Sequence, residues 1–260
     1  FVQNPVAVFQ LFLFFFFIFN IIMKKSYSFI FAFTLIAGLL CSCHINKVSG
    51  DGNVVSKEIP IEDYDEIQIE GENIDLKYMQ SGDAPYLKVE TDQNIMDMLE
   101  ISSDSKELVV RPQNRHIGIR PTRFVVITNS TALKEFAIAG GGHCDLGKGL
   151  TGEKLEIKFA GGGVIKADSI AITRLDCEIA GSGTVYLSGK TENMNIKSAG
   201  SCKIKAFDLE TEKLNCKAAG STNIEITASK SISTKIAGSG TIRYKGNPDI
   251  KEKSIVGSGS

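Results

Sequence analysis

The dipeptide Ala-Gly, followed by small residues, recurs through the second half of the 260-residue chain. It begins at positions 139, 160, 180, 199, 219 and 237, and Val256-Gly257 takes the place of a seventh copy. The hexapeptide IAGSGT at 179–184 returns unchanged at 236–241. A period of about 20 residues is typical of solenoids, in which each repeat is one supersecondary unit that stacks on its neighbours.

The residues that flank each Ala-Gly corner alternate between apolar and polar. Counted from the alanine, positions −5, −3, −1, +5 and +7 are apolar in nearly every copy, with Lys134, Ser198 and Thr234 as the exceptions. Positions −4, −2, +4 and +6 are polar almost throughout. This period of two predicts one strand before the corner and one after it. Glycine suits the corner because it tolerates positive φ and lets neighbouring backbones approach closely.

We therefore predict an all-β fold, a single-stranded right-handed parallel β-helix with coils of about 20 residues. A left-handed hexapeptide β-helix would keep a strict six-residue subperiod, which this sequence lacks. Residues 58–260 are expected to form one domain, with regular repeats over 131–260. Residues 58–130 are expected to form irregular opening coils or a cap, and Asp92 is expected to cap a short helical turn over 92–99.

The N-terminal segment has the features of an export signal. Met23-Lys24-Lys25 precedes an apolar run, which predicts a signal peptide over 23–42. The sequence Leu40-Cys41-Ser42-Cys43 resembles a bacterial lipobox and makes Cys43 the expected lipid anchor; a plain secretory signal is the alternative. Residues 1–22 carry no charge and no methionine, which indicates mis-annotated upstream translation rather than a further membrane segment. Residues 43–57 are expected to form a polar tether.

The charge balance argues against a nucleic-acid partner. The whole chain has a net charge of −1, and removal of residues 1–42, with Lys24 and Lys25, leaves 27 − 30 = −3. The expected location is the cell envelope, with the chain anchored by lipid to the outer membrane. Because His44-Ile45-Asn46-Lys47 carries no acidic run, an orientation toward the periplasm is favoured over surface exposure.

The order of motifs resembles a known family. The repeated AGSG and AGGG corners follow the pattern YDEIQIEG, IDLKY, LKVETDQNIMDMLEI and ELVV. Over about Ser56 to Ser260 the chain is similar to the auto-transporter adhesin head domain, also called the GIN domain, which is common in envelope lipoproteins of the Bacteroidetes. The resemblance implies a pectin-lyase-type β-helix with no assigned catalytic residue, and a role in adhesion that rests on structural analogy.

No catalytic, metal or cofactor site is expected. His143-Cys144-Asp145 contains the residue types of a nucleophilic site, but Cys144 occupies an inward position and His143 an outward one. Cys177 and Cys216 occupy inward positions typical of small buried apolar residues and are too far apart for a disulfide, while Cys202 replaces a corner glycine and has no obvious partner. Glu156 and Asp176 fall at the same position of adjacent repeats and form at most a weak acidic pair. The three histidines do not form a ligand set.

Lysine recurs at outward positions. Lys158, Lys197, Lys217 and Lys235 share position −2, and Lys203 and Lys205 lie at +4 and +6 of one repeat. The simpler interpretation is a solvated face that resists aggregation. The more specific one is a face that binds a polyanion such as an acidic polysaccharide or an anionic headgroup.

These features together predict a non-enzymatic envelope lipoprotein that serves as an adhesion or binding scaffold. Its expected partners are the membrane, through the N-terminal lipid, and a glycan or another envelope or host surface ligand. The alternative is a polysaccharide-binding or polysaccharide-degrading protein of the pectin-lyase-like class. The sequence stops one corner into a repeat, which predicts an open strand edge that either pairs with another chain or is covered by an N-terminal segment.

Overall fold

The structure, a computed structural model, describes residues 46–258. The predicted upstream segment, signal peptide and lipid anchor lie outside the described residues. The elements are β1 (Lys47–Ser49), β2 (Val54–Glu58), β3 (Glu66–Gln80), β4 (Tyr86–Asp92), α1 (Gln93–Met96), β5 (Leu99–Ser103), β6 (Glu107–Pro112), β7 (Gly118–Arg120), β8 (Phe124–Ser130), β9 (Glu135–Lys148), β10 (Thr151–Gly238), β11 (Thr241–Lys245) and β12 (Asp249–Val256). Within these residues no helix has the length and apolar character needed to cross a membrane.

The repeats pair in parallel, one period apart. Strand β10 runs for 88 residues because its corners bend the chain without ending the β pairing. Its beginning pairs with β9, with Ile157 opposite Phe136, and its end pairs with β11 and β12, with Ile236 opposite Ile255. These offsets agree with the sequence period. The predicted pairing between successive repeats is therefore present at both ends of β10.

The N-terminal part of the sheet is mixed. Strand β3 pairs in parallel with β6, β8 and β9, whereas β2–β4, β4–β8 and β5–β6 are antiparallel. The all-β prediction is confirmed, but the sheet is mixed and not closed. Local connections explain part of the difference, because antiparallel strands can be joined by a tight turn and parallel strands cannot. Between β5 and β6, Asp104 accepts hydrogen bonds from the backbone N–H groups of Lys106 and Glu107.

The first described residues form two strands that lie in different sheets. Strand β1 pairs with β7 in a two-stranded sheet, and β2 pairs with β4 in the mixed sheet. Except for Glu58, both strands fall within residues 43–57, which the sequence assigns to a tether. Asp92 precedes α1 as predicted, but its side chain does not cap that helix. The fully buried carboxylate accepts hydrogen bonds from the Gly52 N–H at 2.8 Å, the Thr122 N–H at 2.7 Å and the Thr122 hydroxyl at 2.5 Å. It therefore connects the segment before β2 to the segment before β8.

A continuous core runs along the repeats. The inward positions of β9 and β10 are buried, including the exceptions Ser198 and Thr234, while Lys134 is exposed. The core opens at the last repeat, where Ile242 and Ile255 are only half-buried and Tyr244 is 48% exposed. Burial of the apolar rows supplies the main stabilisation, at roughly 25 cal/mol per Å² of apolar surface.

Side-chain volume is balanced across each corner between positions −1 and +3. Where a repeat has a large residue at −1, glycine is found at +3, and a Cβ added at Gly183 would collide with the ring of Phe159. Two repeats reverse this arrangement. Ser198 at −1 is small, and the space is filled by Cys202 and Thr222, whose hydroxyl lies 2.9 Å from that of Ser198 and 3.7 Å from the Cys202 sulfur. The corner positions are therefore matched in size between the two strands of the repeats.

The first glycine of every corner is stacked on the first glycine of the preceding corner. This corner column consists of Gly71, Gly140, Gly161, Gly181, Gly200, Gly220, Gly238 and Gly257. A Cβ added at Gly200, where φ is +111°, would lie 2.5 Å from the carbonyl oxygen of Gly181. Both the backbone angle and the close approach exclude a side chain here.

We predict that Gly200→Ala lowers the free energy of unfolding by about 3 kcal/mol or more, because a strained φ and a backbone collision add together. Gly149→Ala is the matched control. Its φ is also positive, at +78°, but no atom lies within 4 Å of the added Cβ, so it should cost only about 1 kcal/mol. Urea unfolding of the full chain in non-ionic detergent measures both values. Equal losses would show that the corner contact contributes nothing.

We predict that Asp92→Asn destabilises the chain by about 2 kcal/mol near neutral pH, because an amide cannot accept all three hydrogen bonds. Burial alone would raise the pKa of Asp92, but the bonds from Thr122 and Gly52 outweigh it and hold the pKa below its usual value. The contribution is therefore present above the unfolded pKa of about 3.9 and is lost as the pH falls through the lower folded value. Urea unfolding from pH 3 to 7 should therefore show the free energies of unfolding of wild type and variant drawing together as the pH falls. The exposed Asp83→Asn is the control, and a gap independent of pH would contradict the assignment.

Candidate functional site

The six lysines of the predicted polyanion-binding face are exposed or half-buried on β10. Lys158, Lys197, Lys217 and Lys235 lie on the strand before the corner of their repeats. Lys203 and Lys205 lie on the strand after the corner. The structure therefore divides the predicted face into two separate groups.

Lysines before the corner are mostly paired with carboxylates of a neighbouring repeat. Their ammonium groups lie close to carboxylate oxygens in three pairs: Lys158–Glu135 at 2.7 Å, Lys197–Glu178 at 2.6 Å and Lys235–Glu252 at 2.9 Å. Burial alone would lower the pKa of Lys158, but the hydrogen bonds and charges of Glu135 and Glu156 together outweigh it and raise that pKa. These side chains form a charge-balanced surface, which contributes little to stability because such exposed pairs are typically worth about 0–1 kcal/mol.

The acidic pair Glu156 and Asp176 is also neutralised. Lys154 lies 2.7 Å from Glu156 and 4.0 Å from Asp176, and Arg174 lies 3.0 Å from Asp176. Burial would raise the pKa of Glu156, but Lys154 and Lys158 hold it below its usual range. A general acid needs the opposite shift, toward neutral pH. The pair is therefore arranged as a structural ion-pair network.

Beyond the corner, the side chains of three repeats line a shallow cavity of about 210 Å³. We call it the cationic groove; its lining residues are Lys203, Lys205, Asn223, Ile224, Glu225, Thr241 and Arg243. Glu225 lies 2.9 Å from the Lys205 ammonium group and 3.6 Å from the Arg243 guanidinium group. Cations exceed carboxylates here, in contrast to the charge-balanced surface before the corner.

The predicted site residues included only Lys203 and Lys205 of this groove. Asn223, Glu225 and Thr241 were missed as members of a site. Their shared positions +4 and +6 in consecutive repeats were a usable signal, because residues at equal positions lie side by side in a parallel stack. The sequence alone did not show which lysine or arginine each carboxylate would pair with.

The triplet at 143–145 cannot act as a catalytic unit. Cys144 is fully buried in the core, while His143 is exposed on the opposite side of the strand. Burial raises the pKa of Cys144 to about 12, and the nearby Asp75 charge acts in the same direction. The thiolate that a nucleophile requires is therefore disfavoured. Among residues 46–258, no three His, Cys, Asp or Glu side chains are placed to hold a metal ion.

We predict that iodoacetamide at pH 8 leaves Cys144, Cys177 and Cys216 unmodified while the chain is folded and modifies them in urea. Burial raises the pKa of each of these thiols to about 12, so thiolate is scarce and the sulfur is inaccessible. Mass spectrometry of the cysteine peptides measures the modification. Ser182→Cys, at an exposed corner, is the reactive control, and rapid labelling of Cys144 in the folded chain would contradict the assignment.

Comparison with known proteins agrees with this architecture. The family model described as "Putative auto-transporter adhesin, head GIN domain" matches residues 63–248. A solved "Putative lipid binding protein" from Parabacteroides distasonis is 33% identical over 83% of this chain and 98% of that chain, with a TM-score of 0.67. A solved "putative adhesin" from the same species is 27% identical over 82% and 98% of the two chains, with a TM-score of 0.63.

A solved "putative adhesin" from Bacteroides fragilis has a TM-score of 0.72 over 82% of this chain and 96% of that chain. Its 22% identity makes it evidence for the fold alone. The comparison with curated proteins found no match. Because the family model covers most of the chain and the first relative is 33% identical over nearly its whole length, the chain belongs to the auto-transporter adhesin head GIN domain family.

Proposed function

We propose that this chain is a non-catalytic binding domain of the bacterial cell envelope, held to the membrane by a lipid on Cys43 and acting in adhesion or ligand capture. The observation that carries the proposal is the contrast on its surface. Most outward charges are paired with each other, whereas the cationic groove keeps an excess of positive charge. Such a surface can hold an anionic partner without a reacting group.

The comparisons support a binding role without identifying the ligand. One solved relative carries the name of a lipid-binding protein and others carry the name of an adhesin. We carry over only their shared element, binding to a ligand or surface. Pairing between chains at the open edges of β11 and β12, where Val256 is 72% exposed, stays a prediction of self-association.

For the architecture, we propose that residues 131–260 wind as turns of a right-handed parallel β-helix. The parallel pairing one period apart and the stacked glycines of the corner column support this winding. Residues 58–130, with their antiparallel strands, would form its cap. The domain boundaries and the N-terminal signal peptide stay predictions from the sequence.

A polysaccharide-degrading protein of the pectin-lyase-like class is the second candidate. The proximity of Glu156 and Asp176 favours it, since paired carboxylates can divide acid and base roles. The lowered pKa of Glu156 and its ion pairs argue against it. Release of new reducing ends from polygalacturonate by the purified chain would establish this alternative.

The anchor is tested by Cys43→Ser in the bacterium that produces the chain. We expect the variant to leave the membrane fraction and to lose incorporation of an alkyne fatty acid, because a thioether-linked diacylglycerol requires the cysteine sulfur. Cys41→Ser is the matched control and should remain attached. If Cys43→Ser stays in the membrane fraction and Cys41→Ser leaves it, the lipid is on Cys41. If both variants stay in the membrane fraction, lipidation is contradicted.

Protease treatment of the same cells tests orientation. When protease is added to intact cells, we expect the domain to remain uncut. When the outer membrane is broken first, we expect the domain to be cut, because a periplasm-facing anchor places it behind that membrane. Degradation in intact cells would contradict that orientation and make adhesion to external surfaces the leading function. Binding of the purified chain to isolated envelope fractions, compared with a denatured sample, tests the binding role itself.

A further inference from the structure

We infer that the cationic groove binds an acidic saccharide unit, a sugar ring that carries one carboxylate or phosphate. This inference rests on the proposed binding function and names the ligand class for it. The residues assigned to the anionic group are Lys203, Lys205 and Arg243, and those assigned to the hydroxyl groups are Asn223, Glu225 and Thr241.

The charge of the groove fits a ligand with one anionic group. Three cations and one carboxylate line it, which leaves an excess of two positive charges. Glu225 uses one oxygen toward Lys205 and the other toward Arg243, so it holds the two cations on either side of itself. Within residues 46–258, Lys203 forms no ion pair. Arginine has five N–H donors and lysine three, so donors remain for an anion.

Glu225 also selects against an anion without hydroxyl groups. An ionised carboxylate accepts hydrogen bonds and never donates. It would repel a dense polyanion but accept hydrogen bonds from sugar hydroxyls beside the anionic group. The exposed Asn223 amide adds both a donor and an acceptor. This combination matches an acidic sugar better than an inorganic anion.

The size and polarity of the groove favour a sugar over a lipid. A volume of about 210 Å³ is below the roughly 300–1,000 Å³ of sites for drug-sized ligands. The one apolar lining residue, Ile224, is itself buried at 1% exposure, so an acyl chain would find no apolar surface in the groove. The groove therefore accommodates one small polar unit of a longer molecule.

The offset between repeats places an aromatic ring next to the groove. Glu178–Lys197 and Asp176–Asn195 are side-chain contacts across 19 residues, and Gly181 contacts Gly200 at the same offset. Continued past the corner, this offset places Tyr186 beside Lys205. Tyr186 is 44% exposed, and its ring offers an apolar face with a polar tip. A neighbouring sugar ring of the same glycan could pack on it.

The test is calorimetric titration of the full chain in non-ionic detergent at about 0.15 M salt, where long-range charge effects are largely screened. The probes are trigalacturonic acid, mannose 6-phosphate and neutral galactotriose. We expect at least one acidic probe to bind and galactotriose to bind at least tenfold more weakly. The carboxylate and phosphate probes separate the two forms of the anionic group.

Two double variants with the same loss of charge locate the site. Lys203→Ala with Arg243→Ala should weaken binding of the acidic probe at least tenfold. Lys217→Ala with Lys235→Ala, on the strand before the corner, should change it less than twofold. Equal losses in both variants would show a bulk charge effect and overturn the inference. Unchanged unfolding curves confirm that neither variant acts through folding.

Failure of the inference is separable from failure of the proposed function. If neither acidic probe binds while the chain still binds envelope fractions, the ligand class is wrong and the binding role stands. If the chain binds phosphatidylglycerol vesicles but neither acidic saccharide, the groove does not bind sugars and the inference is overturned. If the chain binds neither probes nor envelope fractions, both proposals fail.

Discussion

Backbone contact between successive corners is the constraint on which the rest of the structure depends. In the corner column, the carbonyl oxygen of one glycine occupies the space that a Cβ of the next glycine would need. The approach holds neighbouring repeats close and in register at one fixed point. From that point, strands of matched length leave in both directions, so equivalent side chains align into rows. The apolar rows form the core, and the polar rows determine which charges meet.

The corner column alone does not specify the core, because the volume enclosed at each corner must also be filled. The repeats solve this with two interchangeable pairings. Phe159 at −1 requires the absence of a side chain at Gly183, whereas Ser198 leaves space that Cys202 and Thr222 occupy. Either pairing keeps interior packing dense. A sequence with both large residues, or both small ones, would strain the corner or leave a void.

Alternation and spacing were sufficient to predict the strands, the inward rows and the Ala-Gly corners, since these depend on local periodicity. They were insufficient for Cys202, whose partner Thr222 lies one repeat away and becomes visible only when volumes are compared across repeats. The antiparallel strands near the N-terminus were also missed. Their pairing depends on contacts such as those of Asp92 with Gly52 and Thr122, far apart in sequence. The prediction that Asp92 caps the helix was wrong, because its carboxylate oxygens accept hydrogen bonds from Gly52 and Thr122 instead.

In a parallel stack, equal positions of successive repeats face each other at about 4.8 Å, so a column of like charges repels itself. The three in-register carboxylates Glu66, Glu135 and Glu156 show how this chain resolves the repulsion, because Lys158 bridges the last two of them. The same logic makes the cationic groove exceptional. Lys205, Glu225 and Arg243 alternate in sign along one column, but the neighbouring column presents Lys203 with the neutral Asn223 beside it. The charge of Lys203 therefore has no carboxylate beside it in its own column, and an anionic ligand gains most from binding there.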